Sequence, residues 1–229
     1  MKIDIQFSPG TNEWPALRDA VLRAEDEGYD TTWVFDHFDG QMLQGDRPML
    51  ECFTLLGALA QATSTIGLGT LVANVANRHP AVLASAASSV QRISGGRLTL
   101  GLGAGAAPAS KWSSEHVARG IPLHDDLADR HAVVVEQIRL IRALPQAMPI
   151  IVGVSSVRLA TIAGQIADGV NVRLTNDRAA EFIDAARGAA AGRNFEVSGW
   201  TFDEVDDVQA QAEALSLDRL VLTRLGPIG

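Results

Sequence analysis

Asp36 and His37 are the first residues in this chain whose types and spacing suggest chemistry. They close and follow the apolar run TTWVFD, residues 31–36. A histidine titrates near neutrality and can exchange a proton with a bound molecule. The aspartate beside it has two readings: a partner in that exchange, or a clasp that holds the ring in a structural role. A second candidate is GLGAGA, residues 101–106, which fits the dinucleotide fingerprint G-x-G-x-x-G/A by letter. That fingerprint requires a helix to begin at its third small residue. Here Ala106-Ala107-Pro108-Ala109-Ser110 follows, without a sustained helical stripe. The alternative is a buried strand whose glycines, Gly103 and Gly105 above all, let a ligand or a neighbouring backbone approach closely, with Gly101 serving packing. A third candidate is Gly153, Val154, Ser155 and Ser156, where an apolar run meets a helical pattern. Serines there cap the helix, and its free N–H groups favour an anion.

Other reactive side chains give weaker signals. The single cysteine, Cys52, lies in the apolar run ECFTLLGALA and reads as a core thiol. His124 and His131 flank two aspartates but lack a compact ligand set, so no metal site is expected. The formal net charge is -8 and no basic patch interrupts it, which argues against nucleic acid and anionic membranes as partners. No apolar segment is long enough to span a bilayer and no signal-peptide pattern opens the chain, so a soluble cytoplasmic protein is expected.

The elements that must position these residues alternate regularly. Strand signals fall at 3–7, 31–36, 65–73, 98–104, 149–154, 169–172, 195–202 and 218–225. Helical patterns separate them, at 14–27, 51–63, 80–93, about 125–144, after 155, 177–191 and 203–215. Leu17, Val21 and Ala24 mark the inner face of the first helix, Val82, Ala86, Val90 and Ile93 that of the third, and Val134, Ile138 and Ile141 that of the long one. Apolar strands joined by crossover helices indicate a parallel sheet covered on both sides. Eight of them in 229 residues point to a single-domain (β/α)8 TIM barrel, residues 1–229, trimmed before the fifth strand and without a final helix. Asp36 and His37 then sit at a C-terminal strand end, where barrels place their catalytic groups.

The middle of the chain carries a resemblance beyond periodicity. WVFDHF (33–38), LLGALAQAT (55–63), LGTLV (68–72), RHP (78–80) and SGGRLTLGLGAG (94–105) together closely resemble the bacterial luciferase-like family, specifically its flavin- and deazaflavin-dependent oxidoreductases. KWSSEHVARGIP, PIIVGVSSVRLATIAGQIADGV and LDRLVLTRLGP extend it over nearly the whole chain. The DHF and RHP…SGGR patterns look most like the branch that uses coenzyme F420, with FMN as the alternative cofactor.

The resemblance implies hydride transfer between F420 and a small organic substrate, with His37 beside the deazaflavin. It implies a bulge with a non-prolyl cis peptide somewhere in Leu71, Val72, Ala73 and Asn74 that presses on the tricyclic ring. Gly103, Gly105 and Ala106 would border the cofactor, and its tail phosphate would rest at Gly153 to Ser156. Arg97 resembles a structural ion-pairing position, and Trp112 one that borders the site. Two alternatives remain open: an FMN-dependent monooxygenase or reductase, and a non-catalytic flavin or deazaflavin binder. The second arises because Ala106 stands where some deazaflavin sugar-phosphate dehydrogenases carry an acid. Helix 51–63 is apolar on nearly all sides, and helix 80–93 offers Ala81, Ala84, Ala87 and Ser88 as a small-residue surface. That composition predicts a homodimer through these two helices, the other possibility being cover from the loop at about 38–50.

Overall fold

A computed structural model describes residues 1–40 and 48–228, so most of the loop weighed as cover for helix 51–63 lies outside the described residues. Nine strands form one parallel sheet: β1 (Lys2–Phe7), β2 (Thr31–Val34), β3 (Gly67–Thr70), β4 (Ala73–Asn74), β5 (Leu98–Gly103), β6 (Ile150–Gly153), β7 (Gly169–Arg173), β8 (Glu196–Thr201) and β9 (Arg219–Arg224). Their order is β3-β2-β1-β9-β8-β7-β6-β5-β4, and β3 also pairs with β5. The sheet therefore closes on itself. The count exceeds eight because the third stave is broken: β3 pairs with the start of β5 through Leu68↔Leu98, and β4 with its end through Asn74↔Gly103. The break is at Leu71–Val72, whose peptide bond is cis. The fold is a (β/α)8 barrel.

The helices are α1 (Trp14–Asp26), α2 (Cys52–Ala62), α3 (Pro80–Ile93), α4 (Ser114–Val117), α5 (Leu127–Arg142), α6 (Val157–Ile166), α7 (Ala179–Ala190) and α8 (Val205–Ala214). Their starts follow from local chemistry. Glu51 accepts from the Thr54 N–H, Asp126 from that of Ala128 and Ser156 from that of Leu159. Pro80 sits at the first turn of α3, where its missing N–H costs nothing. The inward stripes of α1 and α5 are as expected, with Leu17, Val21, Ala24, Val134, Ile138 and Ile141 buried. No helix is formed by the described residues beyond β9.

Helix α3 corrects its expected stripe. Val82 is 56% exposed and Ile93 48%, whereas Val90 is buried as expected and Ala86 half-buried against the core, joined there by Leu83, Ala84 and Ala87. Apolar residues occupy both candidate faces, and the neighbouring α2 and α5 select the one carrying Leu83. This also removes Ala84 and Ala87 from the small-residue surface, since both are core residues, while Ala81 is exposed and Ser88 half-buried. Cys52, Phe53, Leu55, Leu56, Leu59 and Ala60 of α2 are likewise buried within the chain, so the surplus of apolar side chains is covered from inside. Cys52 is a core thiol, as expected, and burial pushes its pKa well up.

The main core lies between the staves and the helices. A smaller cluster of Trp33, Leu71, Ile151 and Val221 joins side chains of opposite staves within the barrel. Arg97 differs from the expected ion pair. Its guanidinium donates to the carbonyls of Ala60, Thr63, Ile66 and Ser94, which ties the end of α2 to the starts of β3 and β5.

Candidate active site

The C-terminal ends of the staves open into a cavity of about 1280 Å³. His37 lines it, just beyond β2, with Asp36 beside it. The two do not clasp each other. The His37 Nδ1 instead pairs at 2.7 Å with Glu115 Oε1, from α4. The second oxygen of Glu115 accepts from the Phe38 backbone N–H, also at 2.7 Å. Glu115 is 1% exposed and the His37 side chain 26%. Burial works against the charge on Glu115, but the His37 ring and the Phe38 N–H outweigh it and hold its pKa below the ordinary value.

Both oxygens of Asp36 are engaged elsewhere. Arg78 grips both oxygens in a fork, at 2.6 and 2.7 Å, and the Asn74 backbone N–H donates to Oδ2 at 2.9 Å. Arg78 also reaches Glu51. Burial opposes the guanidinium charge, yet these two carboxylates raise its pKa. Asp36 thus fixes the backbone just past the cis peptide. The Asn77 amide donates to the Asp36 carbonyl, and its oxygen lies 2.8 Å from His116 Nε2. Burial lowers the pKa of His116.

The glycines of the opening fingerprint have a definite neighbour. A Cβ on Gly103 would lie 2.4 Å from the Val72 side chain, and one on Gly153 2.8 Å from it. Val72 is the residue that the cis bond presents, and it lines the cavity. The space vacated by both glycines is therefore occupied by the Val72 ledge. The Leu71 carbonyl below it accepts from Gln6 Nε2, whose own oxygen accepts from Thr223. Gly105 has φ of +73°, and its missing Cβ leaves room for the Asn74 side-chain oxygen. Gly101 faces the Thr70 carbonyl, as expected of a packing position.

Most of the residues expected at the cofactor converge here. Leu71, Val72 and Asn74 come from the third stave, Gly103, Gly105 and Ala106 from the end of β5, and Val154, Ser155 and Gly153 from the end of β6. Two do not line the cavity. Ala73 is fully buried, its backbone paired with Leu102. Ser156 spends its hydroxyl capping α6. Trp112 lies where expected, its ring centroid 6.4 Å from that of His37. Glu115 and His116 were missed. The quoted KWSSEHV segment contained them, but an acid far along the chain from His37 has no periodic relation to it. On the facing wall, the Arg173 guanidinium stacks 5.1 Å from the Trp200 ring and 5.6 Å from that of Phe202.

The space suits a deazaflavin or flavin: a ledge at Val72 against which a flat ring can rest, small residues beside it, and a titratable group at its rim. Residues 2–150 match the family model described as luciferase-like monooxygenase. The chain belongs to that family. It is 31% identical over 85% of its length to a 5,10-methylenetetrahydromethanopterin reductase of Archaeoglobus fulgidus, of which it covers 60%. It is 33% identical over 61% of its length to an F420-dependent glucose-6-phosphate dehydrogenase of Kineococcus radiotolerans, of which it covers 38%. Thus it spans no more than about three fifths of these two relatives. Among solved structures, an F420-dependent secondary alcohol dehydrogenase superposes with a TM-score of 0.74 at 17% identity, covering 99% of this chain and 94% of the other. The tetrahydromethanopterin reductase of Methanopyrus kandleri gives 0.70 at 20% identity, covering 87% of this chain and 65% of the other. At these identities the superpositions speak for the shared barrel. No described helix is long and apolar enough to cross a membrane, and no described cluster of His, Cys, Asp or Glu has the makings of a metal site.

Proposed function

We propose that this chain is an oxidoreductase that moves a hydride between coenzyme F420 and a small organic substrate, acting as one barrel domain. The observation that carries the reading is the convergence of His37 and the Val72 ledge on one cavity at the C-terminal ends of the staves. The names of the relatives support F420 over FMN. When bound, the deazaflavin supplies the hydride acceptor or donor. The chain supplies the rest. Leu71, Val72 and Asn74 form the ledge, with Gly103 and Gly153 leaving it room. Gly105, Ala106, Val154 and Ser155 border the same wall, and the start of α6 takes the anionic tail through its free N–H groups. Asp36 positions Asn74 through its backbone N–H and touches no proton in transit. His37 handles the proton. Ala106 offers no acid, so a sugar phosphate is not carried over as the substrate.

Titration of the protein with F420 and with FMN tests the cofactor. F420 is expected to bind at least about tenfold more tightly, a gap of about 1.4 kcal/mol. Equal or reversed affinities would overturn the choice in favour of the FMN reading.

The same reading includes a homodimer. Of the small residues of α3, Ala84 and Ala87 lie in the core, and the exposed Val82 and Ile93 of the same helix support the contact instead. Exposed apolar side chains on one helix suit a self-complementary twofold contact.

A further inference from the structure

The His37–Glu115 pair determines which ring nitrogen is free to work. The Phe38 backbone N–H can only donate, so the Glu115 oxygen that meets it must accept. The other oxygen meets His37 Nδ1. A buried carboxylate held in its ionised form by these two contacts has no hydrogen to give. Nδ1 therefore carries the hydrogen of that bond. In the neutral ring, Nε2 is left with its lone pair. Among the described residues no group hydrogen-bonds Nε2, and the ring lines the cavity. The charged groups around it are already committed. Asp36 is held by Arg78, Asp39 meets Arg119, and Lys111 lies over the Trp112 ring. His116, next to Glu115 on α4, has its pKa lowered by burial.

We propose that Glu115 is a positioning residue that locks His37 in the Nδ1–H tautomer, so that Nε2 is the atom that exchanges a proton with the substrate. In the oxidative direction F420, when bound, would supply the acceptor for the hydride released as a substrate C–H bond breaks. The neighbouring O–H or N–H bond breaks, its proton passes to Nε2, and a carbon–heteroatom double bond forms. The imidazolium so created is stabilised by the buried carboxylate behind it. In the reductive direction the same Nε2–H returns the proton. The identity of the hydride acceptor rests on the function proposed above, whereas the tautomer does not.

Glu115→Gln discriminates sharply. The amide oxygen must turn to the Phe38 N–H, which leaves the amide NH2 facing His37 Nδ1. Nδ1 then accepts, and the hydrogen moves to Nε2. Ring nitrogen-15 NMR of the ligand-free protein, at a pH where His37 is neutral, reads this directly. The expected result is Nδ1–H in the wild type and Nε2–H in the variant. Turnover is expected to fall about 10²-fold, with F420 affinity within about twofold. An Nε2–H wild type, or a variant that keeps wild-type turnover, would overturn the proposal. If Glu115→Gln fails to fold, His37→Gln provides a second route. Carbon-13 titration should then show the Glu115 carboxyl rising toward its ordinary range, and an unmoved Glu115 overturns the pairing. Loss of F420 binding by the wild type would sink the cofactor reading alone, since the nitrogen-15 result is obtained without ligand.

Discussion

Two buried carboxylate–arginine clusters lie at opposite ends of the barrel. At the mouth, Asp36 is gripped by the Arg78 fork and the Asn74 N–H, and both its oxygens are satisfied. At the floor, Asp4 of β1 uses one oxygen for both the Trp33 indole N–H and Arg219. Its other oxygen is buried without a partner among the described residues. Burial pushes the Asp4 pKa up to about 6, although Arg219 and Trp33 pull the other way. Each arginine also holds a second carboxylate, Glu51 at the mouth and Glu196 at the floor. The two clusters share a composition and differ in what they secure. The mouth cluster spends its hydrogen bonds on the loop that shapes the site. The floor cluster ties β1, β2, β8 and β9 together and leaves one acceptor unmet.

The largest expected effect is at the floor. Arg219→Met leaves Asp4 buried and unpaired, and should lower folding stability by about 3–5 kcal/mol. Chemical denaturation checks this. Activity per folded molecule should persist, and its loss in step with His37 variants would break the separation of the two ends.

The floor also carries a pH dependence. The folded pKa of Asp4 is raised from 3.8 to about 6, so the native state holds the proton more tightly than the unfolded chain. The contribution of this group is fully present below about pH 4 and is lost as pH rises through about 6, a fall of about 3 kcal/mol. Asp4→Asn should abolish that slope. Denaturation curves at several pH values would show it, and an unchanged slope would show that it does not come from Asp4.

At the mouth the effect moves from stability to rate. His37→Ala should lower turnover by about 10²-fold or more, about 2.7 kcal/mol in the barrier, with cofactor affinity little changed. Steady-state kinetics with an authentic substrate tests it, and wild-type turnover would reduce His37 to a structural role. The smallest effect on the fold lies on the outer surface. Ile93→Lys should alter stability by no more than about 0.5 kcal/mol. Light scattering should nonetheless report a dimer for the wild type and a monomer for the variant. A persistent dimer would move the interface away from α2 and α3.

Periodicity and composition disclose the barrel because alternating apolar runs leave local traces at every stave. The same is true of the helix starts at Pro80 and Ser156 and of the core thiol Cys52. Helix α3 leaves no such trace of its inner face. Val82 and Ile93 form as good a stripe on paper as Leu83, Ala84 and Ala87, and only the packed neighbours choose between them.

By itself the sequence determined the eightfold alternation, the placing of His37 at a strand end, the small residues at Gly103, Gly105 and Gly153, and the family frame that joins them. The tertiary structure alone decided which bond is cis, that the glycines clear space for Val72, that Asp36 serves Arg78 and Asn74, and that Glu115 holds His37. These are single contacts between residues far apart in the chain, 78 positions in the case of Glu115 and His37. A repeating pattern must be written into many residues at once. A hydrogen bond needs only two, and nothing between them in the chain records it.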